Sequence, residues 1–130
     1  MLDLNDLKKC NDELGHDKGD LYIKESARII KACFGEVGKC YRIGGDEFCV
    51  LIKNSSLEDC RNRVKRLREE TEKFSNNGMG IKMQIAVGYE VYDKRIDHDF
   101  NDTVRRADKR MYDDKASLKQ GRVKYGATQQ

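Results

Sequence analysis

The sequence predicts an α+β domain, with a mostly antiparallel central sheet flanked by helices. Three observations lead there. Apolar residues recur at helical spacing in some stretches and alternate in others. Two short apolar runs face each other across Gly44-Gly45, which reads as a hairpin. The chain has 130 residues, one domain's worth of sequence and enough to bury its own core without disulfide or metal.

Met1 to Leu4 reads as the end of a strand, and Asn5 or Asp6 as the cap of a helix that follows. A second helix is expected from about Asp17-Lys18-Gly19-Asp20. Its apolar face is Leu21, Ile23, Ala27, Ile30 and Phe34, and Gly35 and Gly38 bracket its end. Cys40 to Ile43 and Phe48 to Ile52 are the hairpin strands. Asn54-Ser55-Ser56 is a loop with N-cap chemistry. Leu57, Cys60, Val64, Leu67, Thr71 and Phe74 then form one helix face, and the charged residues from Arg61 to Glu70 form the solvated one. Ser75 to Gly80 is a loop. Ile81, Met83, Ile85 and Val87 alternate, so a long strand is expected from Ile81 to Tyr92, bulged at Gly88. A last helix over 102–119 turns Val104, Ala107, Met111 and Leu118 inward. Arg122 to Tyr125 reads as a closing strand, and Ala127 to Gln130 as a frayed tail.

Composition excludes several classes. Charged and apolar residues each make up 38% and the mean hydropathy is −0.85. No run approaches the roughly 20 apolar residues of a membrane span, and the start carries no signal-peptide pattern. The net charge of +3 is too balanced to argue for nucleic acid. The cysteines, at positions 10, 33, 40, 49 and 60, have no zinc-ligand spacing. They read as small hydrophobes in a reducing cytoplasm.

Three clusters carry chemistry: Asp3 to Lys8; Asn11-Asp12, Gly15-His16 and Gly19-Asp20; and Arg42 to Phe48. Asp3 ends a strand, while Asp46 and Glu47 sit at a hairpin tip. If those strands are neighbours, two or three carboxylates meet, and they repel unless a hard cation lies between them. Mg²⁺ suits such a site; the other reading is a turn decorated with acids. No P-loop or dinucleotide fingerprint is present. The helix start after Leu4 offers backbone N–H groups to a phosphate, and Lys8 either lies against that phosphate or is simply solvated. Asn11 and Asp20 either match the hydrogen-bonding edge of guanine or serve as cap and turn residues.

Together these residues resemble the GGDEF family of diguanylate cyclases. The signature stands as Gly44-Gly45-Asp46-Glu47-Phe48. Upstream, Asp3, Lys8, Asn11-Asp12, Gly15-His16 and Gly19-Asp20 follow the family order. Downstream, Val87-Gly88, the run from Arg106 to Tyr112, Lys115 and Gly121-Arg122 do so too. The domain is expected over residues 1–126, with 127–130 as a tail.

The resemblance implies a sheet like the palm of nucleotide polymerases, related to the ferredoxin-like fold. It also implies condensation of two GTP into cyclic di-GMP and two pyrophosphates, in a homodimer whose sites face each other. Asp3, Asp46 and the Leu4 carbonyl would bind Mg²⁺ or Mn²⁺. Glu47 would be a further ligand or help deprotonate the 3′-hydroxyl. Lys8, Arg105 and Lys109 would hold the β- and γ-phosphates, Asn11 and Asp20 would read guanine, and Gly44 and Gly45 would let backbone approach the nucleotide. An acid at Asp20 implies guanine on both halves. The family often has a second acid where this chain has Asn5, a change expected to be tolerated. Its Arg-x-x-Asp product-inhibition pattern is replaced by Gly35-Glu36-Val37-Gly38, so inhibition of that type is not expected. The family also places a helix and most of a strand before the Asp3 position. From Met1 onward the chain is thus expected to lack them, to fold, to cyclise weakly, and to have had a sensory or dimerising module upstream. The alternatives are a catalytically silent GTP-binding regulatory domain and a small ferredoxin-like domain with an acidic hairpin.

Overall fold

The computed structural model describes the backbone of residues 1–129 and the side chains of residues 1–120. Along the chain run β1 (Leu2–Leu4), α1 (Leu7–Leu14), α2 (His16–Phe34), β2 (Gly38–Arg42), β3 (Glu47–Ile52), α3 (Leu57–Ser75), β4 (Ile85–Val87) and α4 (Phe100–Gln129). The strands form one sheet in the order β2-β3-β1-β4, with every pairing antiparallel. The expected α+β architecture is present, and the hairpin across Gly44-Gly45 is its β2–β3 unit.

Register decides which residues make the core and which make the site. Leu2 stands opposite Phe48 on one side and Val87 on the other, and Asp3 stands opposite Glu47 and Ala86. Side chains alternate across a strand. One face therefore carries Leu2, Leu4, Phe48, Ile85 and Val87, which pack with Tyr22, Ile29, Ile30 and Cys33 of α2 and Val64, Leu67 and Phe74 of α3. The opposite face carries Asp3, Glu47 and Ala86. Each fully buried Leu, Ile or Phe contributes about 1.5–3 kcal/mol. A one-residue slip of β1 would exchange two leucines for an aspartate in that core, so the hydrophobic pattern fixes where Asp3 points.

The second face is covered by α4, whose Ala107 and Met111 are buried. The helix comes close because of Gly88: a Cβ there would stand 2.1 Å from the Ala107 carbonyl oxygen and 2.1 Å from the Met111 nitrogen. Further along α4, Asp114 accepts the Val87 N–H at 2.9 Å and is held by Arg68 at 3.1 Å.

Several expectations are corrected. The strand expected over Ile81 to Tyr92 is only Ile85–Val87, and Gly88 marks a helix crossing rather than a bulge. Ile81 and Met83 are buried, so the alternation was real, but their backbone forms no ladder. Ser75 takes up part of that segment instead, its hydroxyl accepting the Met83 N–H at 2.9 Å. The helix expected over 102–119 spans Phe100–Gln129, so residues 122–125 are helical rather than a closing strand. Of the tail expected over 127–130, residues 127–129 continue the helix and Gln130 lies outside the described residues. Leu57 is exposed at the head of α3, and Val104 and Leu118 are half-buried. Asp6 holds the N-cap position of α1 in the left-handed conformation, φ 59°.

The buried face of α2 is centred on Tyr22, Ser26, Ile29, Ile30 and Cys33, with Leu21, Ile23 and Ala27 on its flanks. Tyr22 leads that face for a polar reason. Its hydroxyl lies 2.7 Å from the Asn5 carbonyl and 2.9 Å from the Gln84 carbonyl, and it accepts the Gln84 N–H at 3.1 Å. The phenol thereby joins the end of β1 to the segment entering β4.

The loop from Tyr89 to Asp99 is tied down by one buried acid. Asp97 receives Arg106 Nε at 2.9 Å and a second guanidinium nitrogen at 2.6 Å, the Thr103 hydroxyl at 2.9 Å and the Asp93 N–H at 3.0 Å. The Arg106 bonds hold its carboxyl well below the usual carboxylate range. A folded-state pKa depressed in this way contributes stability above the unfolded value of about 3.9, lost as pH falls towards the folded value. Wild type should therefore lose more stability than Asp97→Asn between pH 5 and pH 2, read as urea midpoints along a pH series. Parallel curves for the two proteins would show that the acid does not anchor the loop.

Candidate functional site

At the end of β1 the chain brings together segments far apart in sequence. The Leu4 N–H donates to the Asp46 carbonyl at 2.8 Å, so the hairpin tip is fastened beside Asp3. The tip itself is pinned by Arg42, which donates to the Gly44 carbonyl at 3.1 Å and the Gly45 carbonyl at 2.8 Å. Neither glycine has positive φ. A Cβ at Gly44 would meet Glu47 in ordinary contact, and one at Gly45 would meet nothing within 4 Å. The chain itself thus makes no steric demand for glycine there; the pair leaves bare backbone open to solvent.

Asp3 is 5% exposed. Its Oδ2 receives the Lys115 ammonium at 3.0 Å, while its Oδ1 is buried with no hydrogen-bond partner. Burial pushes the Asp3 carboxyl up, the Lys115 bond opposes that, and the Asp46 carboxylate close by raises it further. Two adjacent carboxylates, one with an orphaned oxygen, suit a hard divalent cation, which needs only one or two protein carboxylates. The residues therefore fit Mg²⁺ or Mn²⁺, held by Asp3 and Asp46 with the Leu4 carbonyl at hand. Glu47 is placed opposite Asp3 in the ladder. Among the described residues no group of three or more His, Cys, Asp or Glu side chains converges.

The other expected residues divide into two groups. Lys8 is exposed on the first turn of α1, directly after β1. Gly15, at φ 94°, lets α2 turn back on α1. The Asn11 carboxamide then lies over Gly19, where an added Cβ would fall 1.6 Å from its oxygen. That brings Asn11 to the residue beside Asp20, which is exposed. Arg105 and Lys109 stand apart: Arg105 pairs with Asp102 at 2.7 Å, and Lys109 is exposed. They lie about 15 and 9 Å back along the helix axis from Lys115. Among the described residues, the cation of α4 that reaches the carboxylates is Lys115, which matches the family order but has no role assigned from the sequence. A signal for it existed, since Lys115 follows Met111 by four and so falls on the inward stripe of α4. An apolar cavity of 340 Å³ between β3 and the start of α4, lined by Leu51, Tyr92, Phe100 and Val104 among others, contains none of these residues.

Comparison with known proteins agrees with this fold. The family model described as "Diguanylate cyclase, GGDEF domain" matches residues 1–121. The chain is 33% identical over 117 residues to Diguanylate cyclase A of Treponema denticola, covering 88% of this chain and 31% of the relative. It is 26% identical over 111 residues to a diguanylate cyclase of Vibrio cholerae, covering 85% of this chain and 34% of the relative. The chain thus spans about a third of the length of these curated relatives. Among solved structures, the active GGEEF domain of a Vibrio cholerae diguanylate cyclase superposes with a TM-score of 0.75 at 26% identity, covering 86% of this chain and 71% of that one. The Pseudomonas aeruginosa diguanylate cyclase SiaD, solved with its activator SiaC, gives 0.69 at 30% identity over 89% of this chain and 45% of that one.

Proposed function

The chain belongs to the GGDEF domain family of diguanylate cyclases, and from that membership we propose that it joins two GTP molecules into cyclic di-GMP with release of two pyrophosphates. The observation that carries this reading is the meeting of Asp3 and Asp46, with one Asp3 oxygen buried and unpartnered. In the reaction, the 3′-hydroxyl of one GTP attacks the α-phosphorus of the other in line with the departing pyrophosphate. A new P–O bond forms, the bond to pyrophosphate breaks, and the hydroxyl proton is lost; a second such step closes the ring. A divalent cation bound here would lower the hydroxyl pKa and neutralise charge developing on the phosphoryl oxygens.

The chain's own groups position the substrate. Asp3 and Asp46 hold the cation, and Glu47 at the same strand end accepts the hydroxyl proton. Lys8 on α1 and Lys115 on α4, the latter against Asp3, meet the triphosphate, with Arg105 and Lys109 further out along α4. Asn11 and Asp20 present an amide and a carboxylate to guanine, and open backbone at Gly44-Gly45 lets the nucleotide lie close. One domain holds one GTP, so the reacting pair needs two copies facing each other. Among the described residues no helix is long and apolar enough to cross a membrane.

The test is cyclic di-GMP formation from GTP and Mg²⁺ over a hundredfold range of protein concentration. Turnover per molecule should rise with concentration while the dimer is a minority species. Turnover per molecule that stays constant over the whole range would oppose a reaction between two copies. GTP binding without product at any concentration would instead favour the silent regulatory domain.

A further inference from the structure

Lys115 arrives at Asp3 from the far end of the chain, on a helix that Gly88 and Asp114 fix against the sheet. Its ammonium lies 3.0 Å from Asp3 Oδ2, with the Lys115 side chain 28% exposed and that of Asp3 7% exposed. The Asp46 carboxylate lies close by, and the other Asp3 oxygen has no partner. Two buried-edge carboxylates without a cation would repel each other, and a lysine is a compact charge on a flexible stem that can leave at little cost. We propose that Lys115 is the resting counter-ion of the Asp3–Asp46 pair, which an incoming divalent cation must displace or bind against. This deepens the reading of those two acids as cation ligands and rests on it.

A purely structural ion pair and a counter-ion make different predictions. If Lys115 only braces α4, removing it loosens the helix and leaves cation affinity unchanged or weaker. If it competes with the cation, removing its charge tightens binding. The full chain, without nucleotide, is titrated with Mn²⁺ alone and the free ion followed by electron paramagnetic resonance. Lys115→Met should bind Mn²⁺ about tenfold more tightly than wild type, as expected from losing one like charge beside the ligands. Lys115→Gln, which keeps a hydrogen-bond donor, guards against a Met variant that folds poorly and should tighten binding likewise. Lys115→Arg, which keeps the charge, should stay within about twofold of wild type. Equal or weaker binding in both neutral variants overturns the inference while leaving the ligand reading intact. No Mn²⁺ binding in any of the proteins overturns the ligand reading, and the inference with it.

Discussion

A Gly88→Ala domain is expected to melt about 10 °C or more below wild type. The reason is the contact between β4 and α4. The added methyl would sit 2.1 Å from both the Ala107 oxygen and the Met111 nitrogen, and 2.8 Å from the Arg110 carbonyl carbon. These are main-chain atoms of one helix, so no side-chain rotation relieves the overlap. The helix must lift or the strand must bend, and either movement strips contacts from Ala107 and Met111. It also pulls on the Asp114 bond to Val87 and the Lys115 bond to Asp3. Overpacking a core commonly costs about 1–3 kcal/mol, and a backbone-on-backbone clash belongs at or beyond the top of that range. Against a total stability of about 5–15 kcal/mol, the loss is large. Thermal unfolding followed by circular dichroism measures it directly, and an unshifted midpoint would mean that α4 does not cross at Gly88.

The second large effect is on chemistry rather than stability. On the proposed reading Asp46 helps hold the cation that stabilises charge at the phosphoryl group, so Asp46→Ala should lower cyclic di-GMP formation by at least about a thousandfold. The same change should leave the unfolding midpoint nearly unmoved. What fastens the hairpin to β1 is the Asp46 carbonyl, which alanine retains. The carboxylate itself opposes ionisation of Asp3, so its removal relieves a repulsion. Parallel assays of turnover and urea denaturation separate the two effects. A variant that loses activity and stability together would mean that Asp46 is structural, and one that keeps turnover would remove it from the site.

The sequence made the helices of the core legible wherever a single period ran unbroken. In α3, the positions from Cys60 to Phe74 were readable because they step by three and four and are all buried. Pattern reading failed where burial and pairing part company. Ile81 and Met83 alternate like strand residues and are buried like them, yet the side chains of Ser75, eight residues before Met83, and Tyr22, far off in sequence, satisfy the backbone nearby. It also failed at Gly88, since a glycine needed for close packing and a glycine at a bulge look alike in one dimension. The candidate site was largely legible because its acids sit at strand ends marked by a turn. Lys115 was missed because its role exists only once α4 is laid across Asp3, with 112 residues separating the pair.

The bond from Val87 to Asp114 has a bearing on how molecules of this protein meet. Val87 lies on an outer strand, and its N–H points away from β1, where a further strand would otherwise attach. The Asp114 carboxylate fills that position, and Arg68 holds it there. An open margin of this kind invites strand addition and aggregation. Here the β4 margin is sealed by a charged side chain that cannot be displaced without unpairing Arg68. At the opposite margin, β2 presents the exposed charges of Lys39 and Arg42. Self-association by sheet growth is thus discouraged on both sides, so an association of two copies is expected to use side-chain surfaces rather than a shared strand ladder.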